Sequence, residues 1–257
     1  MGKFIALSYG AGTNSTAILA GMYERGLRPD VITFADTGAE KPHTYSHLTV
    51  VNNWLLSIGF PQISVVRKNY FDGRVANLYD HCIERKMLPS LAYGRKNCSQ
   101  KFKIEPQNKF LNNFAPAKAV WKQGDKVVKA IGYDIDERHR AENAPAEDKK
   151  YVMWYPLIEW GWDREDCKRA IKRVGLPQPG KSACYFCPSS RYDEIRLLEQ
   201  HYPELLNKAL ELEKKADLHT VKGLGRRFNW GQFISQPDLV GAFPADWDMP
   251  CGCFDGD

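Results

Sequence analysis

The 257-residue sequence has no run of 18 apolar residues, and its first residues lack the pattern of a secretory signal peptide. We therefore expect a soluble, cytoplasmic protein without a membrane partner. The sequence also lacks internal repeats and low-complexity segments, which excludes repeat architectures. Its net charge of +5 shows no strong excess of one sign. Such a charge permits a polyanionic partner without requiring one.

The loop Ser8–Thr16 is the most informative segment, although it lacks two known phosphate signatures. No Gly-Lys-[Ser/Thr] follows its glycines, which excludes a Walker A loop, and the missing third glycine excludes a dinucleotide fingerprint. The loop lies between an apolar run and a helix-like stretch, so its backbone N–H groups meet at the positive end of a helix dipole. Gly10 and Gly12 allow close approach of a ligand, while Ser15 and Thr16 add hydroxyl donors. The segment favours phosphate binding over a plain strand–helix turn.

Apolar runs alternate with helical patterns through the first part of the chain, which is typical of a parallel sheet with flanking helices. The predicted strands lie at 3–8, 30–35, 62–67, 117–121 and 127–133, and the first helices near 15–26 and 41–58. From about residue 160 the pattern becomes helical, with stretches at 163–174 and 190–216. We predict an open, mostly parallel α/β domain over 1–159 and a helical, cysteine-containing module over 160–257 packed on it. Ligands of such sheets bind at the carboxyl ends of the strands.

Two further predicted strands end in polar residues. Phe34–Gly38 contains Asp36, which can accept hydrogen bonds from a ribose hydroxyl or an adenine amine, or can belong to a turn and helix cap. The segment Ile131–Arg140 follows a later strand and is dense in charge. Arg138 and Arg140 can hold phosphate or sulfate as bidentate forks, and a solvated loop is the alternative.

Seven cysteines in a chain expected to be cytoplasmic indicate metal or redox chemistry rather than a disulfide framework. Cys184 and Cys187 form a Cys-x2-Cys pair, the spacing that brings two thiolates to one metal ion or cluster iron. Cys82 and Cys167 have the partly apolar, helix-like surroundings of buried structural thiols. The candidates for the missing ligands are Cys98, Cys251 and Cys253. The spacing alone suits both zinc and a cluster.

Several motifs follow one another in order along residues 4–216. Residues 10–15 have the form G-A-G-x-x-S, and residues 34–38 have the form F-x-D-T-G. Residues 98–106 are similar to C-x4-K-[VI]-x-P, and Gly132, Asp136, Glu137 and Arg140 fit G-x3-D-E-x2-R. Residues 155–158, 166–167 and 181–188 continue the order. Together these motifs resemble the phosphoadenosine phosphosulfate (PAPS) reductase-like branch of the PP-loop adenine-nucleotide α-hydrolase superfamily, whose S-G-G-K-D-S loop residues 10–15 match.

The resemblance implies a five-stranded parallel core that binds ATP or a related adenylyl nucleotide. It also implies cleavage between the α- and β-phosphates, so that an adenylylated substrate and pyrophosphate result. The nucleotide-binding residues it implies are Ser8, Tyr9, Gly10, Ala11, Gly12, Asn14, Ser15, Thr16, Asp36, Thr37, Gly38 and Gly132. The catalytic residues it implies are Lys101, Lys103, Asp136, Arg138 and Arg140, acting with Mg²⁺. Relatives with cluster chemistry favour a [4Fe–4S] cluster over zinc at Cys98, Cys184, Cys187, Cys251 and Cys253.

The chain departs from this family pattern at Thr13 and Asn14, where a lysine and an aspartate are usual, and in its Cys251–Phe254 tail. These departures argue against sulfate reduction. We expect an ATP pyrophosphatase that adenylylates a nucleic acid for sulfur incorporation, as relatives do in DNA phosphorothioation and tRNA thiolation. Arg226 and Arg227 beside Phe228 and Trp230 are compatible with that substrate class. The alternatives are a PAPS or adenylyl-sulfate reductase that uses a tail cysteine, and a non-catalytic nucleotide-binding scaffold for a cysteine desulfurase.

Overall fold

The computed structural model describes residues 3–95 and 97–236, in which five parallel strands form one sheet. The strands are β1 (Ile5–Ser8), β2 (Val31–Ala35), β3 (Ile63–Val66), β4 (Val127–Ala130) and β5 (Tyr151–Trp154). Their order is β3-β2-β1-β4-β5, with β1 registered so that Leu7 lies opposite Ile32 on one side and Ala130 on the other. The predicted fold class, an open parallel α/β sheet followed by a helical region with cysteines, is confirmed.

Helices connect the strands and cover both faces of the sheet. The first six are α1 (Thr13–Glu24), α2 (Pro42–Ser57), α3 (Leu78–Glu84), α4 (Asn97–Ser99), α5 (Glu105–Asn113) and α6 (Ala115–Lys122). The others are α7 (Arg138–Glu142), α8 (Pro156–Glu159), α9 (Arg164–Arg173), α10 (Tyr192–His201), α11 (Pro203–Lys215) and α12 (Trp230–Ser235). A π-helical segment, Gln100–Ile104, joins α4 to α5, and single 3-10 turns lie at Ser90–Tyr93 and Ile135–Glu137. None of the helices in the described residues is both long and apolar enough to cross a membrane.

Three apolar clusters hold these layers together. One joins β1 and β2 to α1, α2 and α9, through side chains such as Leu7, Ile18 and Ile171. A second lies on the opposite face of the sheet, where Val31 and Val127 meet Leu111 of α5. The third packs α3 and residues 183–187 against α10, α11 and α12. Strands buried on both faces read as continuous apolar runs, which explains why β1 to β3 were predictable.

Two predicted elements are wrong. Residues 117–121 form part of helix α6 rather than a strand. Pro116 is favoured in the first turn of a helix, and Ala117 is buried in the apolar cluster that contains Val31 and Val127. Residues 190–216 form two helices instead of one, because Pro203 cannot donate to the preceding turn and Tyr202 ends α10. The division into 1–159 and 160–257 stays a prediction, and α9 shares a core cluster with α1.

Candidate functional site

A cleft opens where the strand order reverses, between the carboxyl ends of β1 and β4. This is the position at which open parallel sheets bind ligands. Its volume is about 610 Å³, including its open side. The lining residues are Ser8, Gly10, Gly12, Thr13, Asn14, Ser15, Lys103, Gly132, Tyr133, Glu137, Arg140, Arg164, Lys181 and Ser182. We call this space the phosphate cleft, after the ligand that the sequence predicts for it.

The start of α1 forms the floor of the phosphate cleft. The N-cap is Gly12, which has no side chain to accept hydrogen bonds from the first N–H groups of the helix. Beneath the loop, the Tyr9 hydroxyl lies 3.0 Å from the Thr16 hydroxyl, which lies 3.3 Å from Nε2 of His47. Burial lowers the pKa of His47 to about 4, so this ring is neutral at pH 7 and adds no charge. The helix start therefore presents its donors and its dipole to the cleft.

Asn14 connects three charged side chains at one end of the phosphate cleft, and a fourth joins them through Glu137. Its Nδ2 donates to Asp134 (3.1 Å) and to Glu137 (2.8 Å), and its Oδ1 accepts from Arg164 (2.8 Å). Glu137 also forms an ion pair with Arg140. Only an amide can donate to two carboxylates and accept from a guanidinium, so this network requires the side chain that departs from the family pattern.

The two carboxylates of this network are buried. Burial raises the pKa of Asp134, although the Asn14 amide and the charge of Arg164 oppose the rise. Burial also raises the pKa of Glu137, against the attraction of Arg140 and with the repulsion of Asp134. Protonation of either group would remove negative charge directly beside the cleft.

Three cations of the phosphate cleft are held in place by buried glutamates. Arg140 pairs with Glu137, as described above. Lys181 Nζ lies 2.7 Å from Oε1 of Glu194, which is 3% exposed. Lys103 Nζ lies 3.3 Å from Oε1 of Glu40. A fourth cation, Arg164, has a buried Nε without a hydrogen-bond partner among the described residues. Such a donor is expected to find an acceptor in a bound ligand.

The structure brings together part of the predicted site. Eight of the predicted residues line the phosphate cleft: Ser8, Gly10, Gly12, Asn14, Ser15, Lys103, Gly132 and Arg140. Tyr9, Ala11 and Thr16 belong to the same loop, but their side chains are buried and do not line the cleft. Lys101, Asp136 and Arg138 are exposed and do not belong to the lining. Their catalytic roles stay predictions from the resemblance.

Asp36 lies at the end of β2, and its carboxylate is used inside the protein. Oδ1 accepts from the Gly38 N–H (2.7 Å) and the Tyr45 hydroxyl (2.8 Å), and Oδ2 accepts from Arg67 Nε (2.8 Å) and from the second guanidinium nitrogen. The Thr37 hydroxyl contacts Sγ of Cys184 at 3.3 Å. Asp36, Thr37 and Gly38 do not line the phosphate cleft.

The cysteine pair lies against the loop that follows β2. Cys184 Sγ is 4.0 Å from Oε1 of Glu40, and Cys187 Sγ is 3.0 Å from the Ser189 hydroxyl. Burial, followed by the charge of Glu40, raises the pKa of Cys184 well above its usual range. Cys82 and Cys167 are buried, as predicted for structural thiols.

The described residues do not complete a metal site. Nowhere in residues 3–95 and 97–236 do three His, Cys, Asp or Glu side chains form a group able to hold a metal ion. Cys251 and Cys253, the predicted tail ligands, lie outside the described residues. Cys184 and Cys187 can supply only two of the ligands that a [4Fe–4S] cluster or zinc needs, so we derive no chemical step through either.

Arg164, Lys181 and Ser182 line the cleft although the sequence did not predict them there, and the sequence predicted no role for Asp134 or Glu137. Glu137 belonged to the recognised G-x3-D-E-x2-R segment, and Lys181 and Ser182 opened the recognised cysteine segment. These two motifs could have indicated that the residues belong to the site. Arg164 had no such signal, because it follows Asn14 by 150 positions and only the packing of α9 on α1 joins them.

No model of a known protein family matches the chain, and no curated protein matches it. Among solved structures, the chain is similar to the U34-tRNA thiolase NcsA from Methanococcus maripaludis with its [4Fe-4S] cluster. The identity is 13%, the TM-score is 0.43, and the match covers 96% of this chain and 83% of that chain. A likeness at this distance assigns neither a family nor an activity, so a functional proposal depends on the site itself.

Proposed function

We propose that the protein is an ATP pyrophosphatase that transfers the adenylyl group of ATP to a nucleic acid and so prepares that substrate for sulfur incorporation. One observation supports this above the others: four cationic side chains converge on the uncapped start of α1 at the switch point of a parallel sheet. Backbone N–H groups, arginine guanidinium groups and lysine ammonium groups are the groups that bind phosphate chains. The resemblance of the ordered motifs supplies the position of cleavage, between the α- and β-phosphates.

The proposed chemistry requires little covalent participation by the protein. An oxygen of the acceptor attacks the α-phosphorus, the bond to the bridging oxygen breaks, and pyrophosphate leaves with the electron pair. Lys103, Arg140, Arg164 and Lys181 neutralise the charge on the phosphate oxygens, and the α1 N–H groups orient the chain. Mg²⁺ enters with ATP as part of the substrate. In this proposal the acceptor reaches the α-phosphorus from the open side of the cleft.

The product of ATP turnover tests this function. Purified full-length protein, incubated with Mg²⁺, ATP and RNA or DNA, is expected to release pyrophosphate and to transfer label from the α-phosphate to the nucleic acid. Orthophosphate as the sole product, or nucleotide binding without turnover, would contradict the proposal. Sulfite release from a sulfonucleotide would support the reductase alternative instead.

Two cations of the cleft and two exposed cations outside it form matched pairs. Arg140→Gln and Lys103→Met are expected to lower kcat/KM by about 100-fold, the effect of removing one preorganised charge. Arg28→Gln and Lys118→Met remove the same charges from exposed positions outside the cleft and are expected to change kcat/KM less than threefold. Equal losses in a cleft variant and its exposed control would show that the cleft is not where the phosphates bind.

A further inference from the structure

A second cavity adjoins the phosphate cleft and has no role in the chemistry above. It lies over β4 and β5, beside the helical segment 100–108, reaches Ser8 at the end of β1, and encloses about 950 Å³ including its mouth. Its walls include Ile104, Ile131 and Lys129, and it shares Ser8 and Tyr133 with the phosphate cleft. We call it the Lys129 pocket. A ligand that occupied both cavities would pass Ser8 and Tyr133.

Aromatic rings form the boundary between the two cavities. Tyr133 and Tyr155 are stacked, with ring centroids 5.5 Å apart and planes 10° from parallel. The guanidinium of Arg140, a cleft residue, lies 4.5 Å from the centre of the Tyr133 ring. Flat aromatic and branched aliphatic walls suit a planar ring.

Polar atoms inside the Lys129 pocket need partners. Lys129 projects from the middle of β4, is 7% exposed, and donates to Oδ1 of Asn108 at 2.7 Å. The hydroxyls of Tyr151 and Tyr155 are buried and have no hydrogen-bond partner within the described part of the chain. Tyr151 itself is 5% exposed. Buried polar groups normally have partners, so these hydroxyls indicate a polar ligand.

The protonation of Lys129 is compatible with a donor role. Burial lowers the pKa of this amine to about 8, so most molecules keep it protonated at pH 7. An ammonium has three donors and no acceptor. One donor already serves Asn108, and the others are available to ring nitrogens of a ligand.

The other candidate position for a base is next to Asp36, as the resemblance implies. Four donors already occupy the two oxygens of that carboxylate: one each from Gly38 and Tyr45, and two from Arg67. A base could bind Asp36 only by displacing one of them. The Lys129 pocket requires no such exchange.

We propose that the Lys129 pocket binds the purine base of the nucleotide whose phosphates lie in the phosphate cleft, with Lys129 and the Tyr151 and Tyr155 hydroxyls contacting the ring nitrogens. This inference depends on the proposed function only for the position of the phosphates. The acceptor substrate then approaches from the open side of the cleft.

Calorimetry with two separate probes, adenosine and inorganic tripolyphosphate, tests this assignment. Lys129→Met and Tyr155→Phe are expected to weaken adenosine binding at least tenfold and to leave tripolyphosphate binding unchanged. Arg140→Gln is expected to weaken tripolyphosphate binding. Lys118→Met on the exposed face of α6 and the exposed Tyr23→Phe are the matched controls. Tyr155→Phe removes one hydroxyl only, so it remains informative if Lys129→Met does not fold.

Three results would overturn the inference. The first is that adenosine does not bind the wild-type protein. The second is that adenosine affinity is unchanged in both pocket variants. The third is that Asp36→Asn loses adenosine affinity while Lys129→Met does not, which would place the base next to Asp36. The proposed function fails differently, through absent tripolyphosphate binding or orthophosphate as the sole product of ATP. The two failures are therefore distinguishable.

Discussion

At the scale of single residues, Asn14 occupies a position where the family that the sequence resembles usually has an aspartate. Its amide donates to two buried carboxylates whose pKa values are already raised by burial. An aspartate at this position would replace the donor by a third negative charge. The asparagine is thus a requirement of this chain's own surroundings, and its presence does not by itself indicate loss of activity.

Asn14→Asp is expected to lower the free energy of unfolding by on the order of 3 kcal/mol at pH 7.5, because it leaves buried carboxylates without their donor. Three adjacent carboxylates raise one another's pKa in the folded state, so the folded protein binds more protons than the unfolded chain above about pH 4. Stability then falls as pH rises, and the deficit is expected to be smaller at pH 5.

Urea unfolding of the wild type, Asn14→Asp and the exposed control Asn53→Asp at both pH values provides the measurement. A deficit that is the same at pH 5 and pH 7.5 would be evidence against carboxylate crowding.

At the scale of elements, the close approach of two loops shapes the phosphate cleft. Gly132 follows β4, and a Cβ at this position would lie 3.1 Å from the backbone nitrogen of Ser15 and 3.3 Å from Cβ of Asn14. The glycine is needed for this contact, which brings the β4 loop onto the start of α1. At Gly12, by contrast, a Cβ would make an ordinary 3.7 Å contact with Ser182.

Gly132→Ala is expected to destabilise the ligand-free protein by about 1–3 kcal/mol, since one of the two loops must move. Gly12→Ala is expected to cost clearly less. Thermal unfolding of both variants without ligand checks this, and similar losses in the two would show that the loops do not constrain each other.

Elements differed in how far the sequence could predict them. Strands β1 to β3 are short apolar runs between turn signals, and these were predicted correctly. Residues 117–121 have the same apolar character, but Pro116 and the tertiary contact of Ala117 select a helix, which a strand-length window cannot recognise. β5 was not predicted, because it is half-buried along most of its length and its residues do not form a clear apolar run.

The site was predictable where it lay within one motif. The loop 8–16 gave five cleft residues directly, and the C-x4-K segment gave Lys101 and Lys103 without distinguishing them. The π-helical segment buries Lys103 and leaves Lys101 exposed, a difference that depends on helix geometry rather than residue type. The sequence predicts that Lys129 lies in a strand, but it does not show that the side chain faces a cavity.

At the scale of the whole molecule, both halves of the chain contribute to the phosphate cleft. Arg164, Lys181 and Ser182 come from beyond residue 159, and the segment with Cys184 pairs with the loop after β2 through Glu40. The cysteine segment and the cleft are therefore connected by short contacts, through Glu40 and Lys103.

The metal content of the protein is a separate prediction. We expect anaerobically purified protein to contain iron and sulfide in the ratio of a [4Fe–4S] cluster, and both Cys184→Ser and Cys187→Ser to lose it. Cys82→Ser replaces a buried thiol outside the pair and is expected to retain the iron. Metal and sulfide analysis with absorption spectra decides this. A colourless protein with one equivalent of zinc would reverse the assignment.

The glutamates behind the cleft have an energetic consequence for ligand entry. Because Lys103, Arg140 and Lys181 each face a carboxylate, an arriving polyanion adds negative charge to a nearly balanced region. The cheapest compensation is uptake of hydrogen ions by Glu137 and Asp134, whose pKa values burial has already raised. Tripolyphosphate binding is therefore expected to tighten as pH falls towards the range in which these two carboxyl groups titrate, and its calorimetric enthalpy to depend on the ionisation enthalpy of the buffer. A buffer-independent enthalpy would mean that the pairs separate instead and that the glutamates stay ionised.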